Sequence, residues 1–148
     1  MPLKTEVKTE WNGKEVMKDF DKAMFKSLFT GASIVEGQAA ATVSGQSTDL
    51  GQLLQSITKQ VSSTKAVIGT NDAKAPHIEF GTRPHAAPIS ALQGWADRHG
   101  IPVGAVWMSI KRKGTKAQPF LLPALLKNVK KIIAVFAKNN INLKWVHR

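Results

Sequence analysis

The sequence predicts an α/β fold of the α+β type, in which a small, mostly antiparallel sheet is flanked by a long N-terminal helix and a C-terminal amphipathic helix. Residues 3–11 alternate between apolar or threonine side chains and charged ones, which indicates a strand with one buried face. Residues 16–35 and 122–136 instead repeat apolar side chains every three or four positions, which is typical of amphipathic helices. With 148 residues the chain is long enough for one hydrophobic core, so residues 1–148 are predicted to form a single domain.

The N-terminal part is predicted to contain a strand followed by the long helix. The strand carries Leu3, Val7 and Trp11 on one face and ends at a turn, Asn12-Gly13. Gly31 and Gly37 weaken the later turns of the helix, which are expected to fray or bend. The apolar positions of the helix are Val16, Phe20, Ala23, Met24, Leu28, Ala32 and Val35.

Small polar residues separate this helix from the elements that follow. Residues 44–49, Ser-Gly-Gln-Ser-Thr-Asp, are predicted to form a mobile linker. The apolar pattern of residues 50–57 fits a short helix, and strands are expected near residues 58–61 and 65–68. The connection between the two strands is predicted at Ser62-Ser63-Thr64.

Residues 77–85 combine an acid, a large aromatic side chain, a glycine and a proline within nine positions. Such a composition favours a rigid loop presented for contact over the interior of a helix or strand. One interpretation buries Ile78 and Phe80 as a plug of the core, while Glu79 accepts hydrogen bonds from nearby backbone donors. Residues 83–85 have less reason to be buried and are expected to face a neighbouring molecule.

The C-terminal part is predicted to be mostly helical. Ser90 is placed to cap a helix that closes at His99-Gly100, and a second helix runs from Val103 to about Lys111. A basic turn is expected at residues 111–116. The clearest helix follows, with Pro123 in its first turn and an apolar stripe at Leu122, Leu125, Leu126, Val129, Ile132, Ile133 and Phe136. Residues 139–148 are predicted to be an extended tail, in which Ile141, Leu143 and Trp145 suggest a last short strand.

The positive charge is concentrated in the C-terminal third. The net charge of +11 arises after residue 97, because residues 1–97 hold ten basic and ten acidic side chains, whereas residues 98–148 hold eleven basic side chains and no acid. A block of one sign usually marks a surface that meets the other sign, such as nucleic acid, an acidic protein or anionic lipid. Solubility without a specific partner is the alternative. The predicted contacts to DNA or to an acidic partner are Lys111, Arg112, Lys113 and Lys116.

The sequence contains no motif that predicts an enzyme. Cysteine is absent, which excludes disulfides and thiolate chemistry. The histidines do not form a zinc-protease pair, and neither a nucleophile elbow nor a phosphate-binding loop is present. The spacing of His77, Glu79 and His85 matches no metal-ligand pattern. No catalytic residue, metal ligand or cofactor is therefore predicted.

No feature of the sequence predicts insertion into a membrane. The first residues lack an apolar signal core, and no apolar run approaches the roughly 20 residues that span a bilayer. Residues 122–138 alone look like a membrane-surface helix, but a terminal amphipathic helix of a small domain normally packs on the core. A soluble product of the cytosol is the expectation.

Three motifs follow one another along the chain: Ile68-Gly69-Thr70-Asn71, Ala75-Pro76-His77-Ile78-Glu79-Phe80-Gly81-Thr82, and the stretch from Gly114 to Leu125. In this order they resemble the small neck and tail-completion proteins of long-tailed bacteriophages. Members of that head–tail joining family, often described as minor tail components, read V-G-T-N, Y-A-x-x-x-E-F-G-T and P-F-L-x-P-A-L. The resemblance covers residues 14–137. The family's D-T-G segment appears in altered order within residues 48–57, and its usual tyrosine is missing.

The resemblance implies a structural virion protein and not an enzyme. Family members form rings, commonly sixfold, at the junction between the capsid connector and the tail. The implied partners are further copies of this chain, connector or head-completion proteins, tail-terminator or tail-tube proteins, and genome DNA in the channel. The implied location is the neck or tail of the virion, after assembly in the cytoplasm of the host bacterium.

In a ring, each subunit presents one patch to a different patch of its neighbour. The polar segment near residue 48 and the stretch after residue 78 are the candidates for such patches. The candidate interface residues are Thr48, Asp49, Gly51, Glu79, Phe80, Gly81, Thr82, Arg83, Pro84 and His85.

Two other functions are compatible with the sequence. Basic residues together with Trp107 and Trp145 are typical of non-specific nucleic-acid binding, in which basic side chains bind phosphates and aromatic side chains stack on bases. Against this, both tryptophans fall on predicted apolar faces. A module that docks a single acidic protein is the third possibility.

Overall fold

The computed structural model describes residues 13–46 and 51–139. The predicted N-terminal strand, residues 47–50 with Thr48 and Asp49, and the predicted tail beyond residue 139 lie outside the described residues. Within the two described ranges the chain forms α1 (Gly13–Gln46), α2 (Gly51–Ser56), β1 (Ile57–Val61), β2 (Ala66–Thr70), α3 (Ala75–Phe80), α4 (Ile89–Arg98), α5 (Val103–Lys113) and α6 (Leu121–Lys138). The predicted α+β class, with a small antiparallel sheet flanked by a long first helix and a C-terminal helix, is confirmed.

Helix α1 is continuous over 34 residues and does not fray at its internal glycines, contrary to the prediction. Gly31 is buried against α6, and a Cβ at this position would lie 3.3 Å from Ile132 Cγ2, so the glycine allows the two helices to approach closely. The helix also continues through Ser44 to Gln46, so the first half of the predicted mobile linker is helical. Val43 is fully buried in the core and anchors this last part of the helix.

A substitution of Gly37 by alanine changes the helix propensity of α1 without changing its packing, because a Cβ at this position would have no atom within 4 Å. We expect Gly37→Ala to raise the free energy of unfolding by about 1 kcal/mol, since alanine loses less backbone entropy in a helix than glycine does. Urea unfolding followed by circular dichroism measures the change. Gly31→Ala is the matched control, and its gain should be smaller because the added methyl group meets Ile132. An equal gain at both positions would argue against close packing of α1 and α6.

Strands β1 and β2 form the predicted hairpin, paired in antiparallel register with Ile57 opposite Thr70. Alternate residues of β1 are buried or half-buried, as expected for a strand with one face on a helix, and the sheet lies on α1. On this face the Lys59 ammonium forms an ion pair with Glu36 and lies 5.1 Å from the centre of the Phe29 ring. These contacts fix the hairpin against the middle of α1.

The core lies where α1, the sheet and the first turns of α6 meet. Helix α6 runs antiparallel to α1. Ala124, near the beginning of α6, packs with the core residues in the second half of α1, whereas Asn139, just after the end of α6, donates a hydrogen bond to Ser27 Oγ in the first half of α1 at 2.9 Å. The predicted apolar stripe of α6 is only partly buried, since Leu122 and Leu126 are exposed. The buried apolar members of the core are Val35, Ala39, Val43, Leu53, Ile57, Ala75, Phe120 and Ala124.

Helices α4 and α5 form a hairpin that packs mainly on itself. Helix α4 begins directly after Pro88 and has no side-chain cap, so the predicted cap at Ser90 is wrong. It closes at Gly100 as predicted, with φ at 63°. Helix α5 continues to Lys113, so the first three residues of the predicted basic turn are helical.

Candidate assembly site

The segment for which composition predicts a rigid loop is helical in its first half. Helix α3 begins at Ala75, carries Pro76 in its first turn and ends at Phe80, whereas residues 81–88 lie outside helices. The prediction of a loop for residues 77–80 is therefore wrong. The helix directs Glu79 into the protein and leaves Phe80 76% exposed, so the prediction of Phe80 as a plug of the core is also wrong.

The Glu79 carboxylate is buried at the beginning of α6, with 9% of the residue exposed. Its Oε2 atom accepts hydrogen bonds from the backbone N–H groups of Phe120 at 2.8 Å and Leu121 at 3.0 Å. Its Oε1 atom accepts from the N–H group of Leu122 at 3.0 Å. The expectation that Glu79 satisfies backbone donors is confirmed, and these donors lie about forty residues away in the sequence.

This arrangement supplies α6 with the cap that its own sequence lacks. A helix begins with four N–H groups that have no partner within the helix, and α6 has no side-chain cap at Phe120. Glu79 accepts hydrogen bonds from three N–H groups at this end, and its negative charge lies at the positive end of the helix dipole. Helices α3 and α6 are thereby joined at one rigid point.

Two glycines form a close crossing immediately beside this point. Thr82 and Thr115 exchange backbone hydrogen bonds of 3.1 and 3.2 Å, and their hydroxyl oxygens lie 3.0 Å apart. Gly81 and Gly114 flank the bridge with φ of 70° and 71°. A Cβ at Gly114 would lie 1.9 Å from the Thr82 carbonyl oxygen, so only glycine fits there. The crossing fastens the α4–α5 hairpin to the core at its base.

The three motifs that carry the bacteriophage resemblance therefore lie side by side. The second and third are joined by the Glu79 cap and by the Thr82–Thr115 bridge. Residues 68–71, which form the first and include the end of β2, line the same groove as α3 and the start of α6. Motifs that merely follow one another along the chain thus build one surface in the folded protein.

That surface contains an open apolar groove with a volume of about 770 Å³. Val35 of α1 contributes to its lining together with Ile68, Phe120 and Leu125, and exposed Phe80 is among the residues around it. One side is formed by strand β2, which pairs only with β1 among the described residues. The groove thus combines apolar side chains with backbone groups of a strand edge.

The remaining interface candidates lie beyond the groove. Arg83, Pro84 and His85 are exposed, as their composition predicts, and His85 Nδ1 lies 2.9 Å from the Arg83 carbonyl oxygen. Gly51 is the exposed first residue of α2. Thr48 and Asp49 lie outside the described residues, so the structure does not place them beside the others.

The basic candidates occupy the end of the α4–α5 hairpin. Lys111, Arg112 and Lys113 form the last turn of α5 and are exposed, and Lys116 follows after the crossing glycine. The Lys111 ammonium lies 4.6 Å from the centre of the Trp107 ring, which is half-buried. The indole face therefore already has a cation against it.

The described residues hold no group of three or more histidine, aspartate or glutamate side chains that could bind a metal ion. In particular, His77 and His85 do not form such a group with Glu79, whose oxygens face the start of α6. None of the helices in residues 13–46 and 51–139 is long and apolar enough to cross a membrane.

Comparison with protein-family models, with curated proteins and with solved structures finds no match for this chain.

Proposed function

We propose that the chain is a structural virion protein of the bacteriophage neck or tail, which oligomerises as a ring joining the capsid connector to the tail. The three motifs of the bacteriophage resemblance support the location, and the observation that carries the proposed oligomerisation is Phe80, a large apolar side chain that is 76% exposed directly beside an anchored residue. Glu79 is held by three hydrogen bonds to α6, so the backbone presents Phe80 in a fixed position. The backbone at Phe80 is already ordered, so it loses little further conformational entropy when a partner covers this side chain.

The neighbouring apolar groove supports a subunit interface. Burial of a phenylalanine side chain stabilises a contact by roughly 1.5–3 kcal/mol. Exposed Phe80 borders the groove, so the two form one continuous apolar patch. When a different patch of the next copy covers this one, the contact is head-to-tail, and it closes into a ring when the rotation between copies allows it.

A second function has one observation in its favour, the three exposed basic residues on the last turn of α5. Non-specific nucleic-acid binding through Lys111, Arg112 and Lys113 would weaken steeply with salt, because each bound phosphate releases a counterion. Changing all three to glutamine would then reduce the slope of log affinity against log salt by about 0.9 for each phosphate of duplex DNA that the variant no longer neutralises. In the virion, the same residues would face the genome or an acidic ring.

The interface itself is tested by Phe80→Ala and Arg83→Glu. We expect both variants to stay folded and to shift the population from oligomer to monomer, because both side chains are exposed and lie outside the core. Far-UV circular dichroism checks the fold and sedimentation velocity measures the oligomer. Thr58→Ala, at an exposed position on the outer face of β1, is the control that should leave the oligomer unchanged. Unfolding of both variants would show that residues 80–83 serve the fold instead.

Ring assembly and nucleic-acid binding are separated by light scattering over a concentration series at low and high salt. An apolar interface predicts a discrete oligomer that persists at high salt, because salt screens interactions between charges and not the burial of apolar surface. A chain that stays monomeric at both salt concentrations and binds duplex DNA at low salt only would favour the alternative. Detection of the protein in purified virions by mass spectrometry tests its proposed location.

A further inference from the structure

Strand β2 leaves one of its edges without a strand partner among the described residues. The sheet consists of β1 and β2 alone, and β1 occupies one side of β2. In an antiparallel pair, backbone groups of alternate residues point away from the partner strand and are free to bind another one. The apolar groove runs beside this edge, with β2 along it and Val35, Phe120 and Leu125 among its apolar residues. The edge and the groove together fit an extended segment with one apolar face.

Residues 3–11, which lie outside the described residues, have the sequence of such a segment. Leu3, Val7 and Trp11 alternate with charged residues, and threonines occupy the positions between them on the same face. Threonine, valine and tryptophan are favoured in strands. If the segment added beside β2, its apolar face would lie on the groove. Its charged face would then lie in solvent, on the same side as the exposed outer face of the hairpin.

Only the first residues of the segment can reach the middle of the groove of its own chain. Gly13 begins α1 and Val35 lines the groove, which places them about 33 Å apart along the helix at 1.5 Å per residue. Val7, the middle of the segment, lies six residues before Gly13 and reaches at most about 20 Å from it, even when fully extended. Leu3, ten residues before Gly13, just spans this distance when fully extended, at about 33–36 Å, so Val7 and Trp11 fall short of the middle of their own groove. The groove of a second copy has no such limit and can accept the whole apolar face.

We propose that residues 3–11 of one copy add as a third strand to the open edge of β2 in the next copy. The inference rests on the ring assembly proposed above and names the contact that links its subunits. Each copy donates one strand and accepts one, so the contact is head-to-tail and compatible with closure. The backbone hydrogen bonds supply affinity, and the apolar side chains in the groove fix the register.

Disulfide trapping in the full-length chain tests this contact, because the chain contains no cysteine of its own. Val67→Cys places a thiol on the exposed outer face of β2. It is combined, one at a time, with cysteine at each charged position of the segment: Lys4, Glu6, Lys8 and Glu10. Neighbouring strands lie about 4.8 Å apart, so at least one combination brings the two Cα atoms within the roughly 7 Å that a disulfide tolerates. We expect mild oxidation to give a ladder of species at multiples of 16.1 kDa in denaturing gels.

In the matched control, the acceptor cysteine lies on β1, one strand farther from the proposed third strand. Gln60 lies opposite Val67 on β1 and is equally on the outer face. Combined with the same donor cysteines, Gln60→Cys should give no ladder, because two strand spacings are about 9.6 Å and exceed the reach of a disulfide. Val7→Lys should lower the ring fraction at least tenfold by placing a charge in the groove, whereas Lys8→Glu, on the outer face, should leave it unchanged.

The outcomes separate strand donation from ring assembly. A ladder with Val67→Cys and none with Gln60→Cys supports donation between copies. Asn142→Cys and Lys144→Cys test the other predicted extended segment, residues 139–148, as the donor. An internal disulfide in a monomer, or a ladder obtained only with one of these two donors, assigns the groove to another occupant and overturns the inference. A salt-resistant ring without any ladder overturns strand donation and leaves ring assembly standing. Absence of both ladder and ring contradicts both proposals.

Discussion

Replacing Glu79 by alanine is expected to lower the free energy of unfolding by about 4 kcal/mol. Three backbone N–H groups at the start of α6 donate to this carboxylate, and that of Phe120 is buried. Each buried donor that is left without its partner costs roughly 1–3 kcal/mol, and bonds to a charged acceptor lie at the upper end of this range. The effect should appear as a large decrease in the urea midpoint, with the slope of the transition unchanged.

Two variants calibrate this prediction. Glu79→Gln keeps one carbonyl oxygen as an acceptor and loses the charge. Its free energy of unfolding should therefore lie between that of the wild type and that of Glu79→Ala. Glu36→Ala removes the partner of Lys59 from a half-exposed ion pair and should cost no more than about 1 kcal/mol. If Glu79→Ala were as mild as Glu36→Ala, the cap on α6 would not be what joins α3 to the core.

Gly114→Ala is expected to lower the free energy of unfolding by more than about 3 kcal/mol, since it combines a left-handed backbone with a collision. Gly114 has φ of 71°, and a Cβ there would lie 1.9 Å from the Thr82 carbonyl oxygen, a backbone atom that cannot move aside alone. Relief of the collision would separate Thr82 from Thr115 and release the base of the α4–α5 hairpin. Thermal unfolding and proteolysis within residues 89–113 measure the two consequences.

The control for this prediction lies ten residues earlier in the same hairpin. Gly104 is a helical residue of α5, and a Cβ there would have no atom within 4 Å. Gly104→Ala should therefore be neutral or raise the free energy of unfolding by up to about 1 kcal/mol. Equal losses of stability at both positions would show that the hairpin is sensitive to any substitution and that the crossing has no special role.

The long elements are predictable from the sequence because their periodicity is sustained. The apolar repeats of α1 and α6 extend over many turns, so they indicate helices without any knowledge of contacts to other parts of the chain. Helix α3 is not predictable in this way, because its six residues are too few for a period to be recognised. Pro76 in its first turn is the available signal, since proline is favoured at the start of a helix.

For Glu79 the sequence predicts the kind of partner, backbone N–H donors, but not their location forty residues away, and it does not decide whether Phe80 is buried. By residue type alone, phenylalanine is more often buried than glutamate, but the structure has the opposite arrangement. The carboxylate is buried because the start of α6, forty residues later, supplies three donors. Likewise, Ser44 and Gly45 favour a linker by propensity, and the packing of Val43 in the core carries the helix past them.

Ring assembly is tested most directly by native mass spectrometry of the unmodified chain over a range of concentrations. The proposed closed ring predicts one stoichiometry, near six copies of the 16.1-kDa chain, and this number should not grow as the concentration rises. A monomer at every concentration, or an open series of masses that lengthens with concentration, would contradict it.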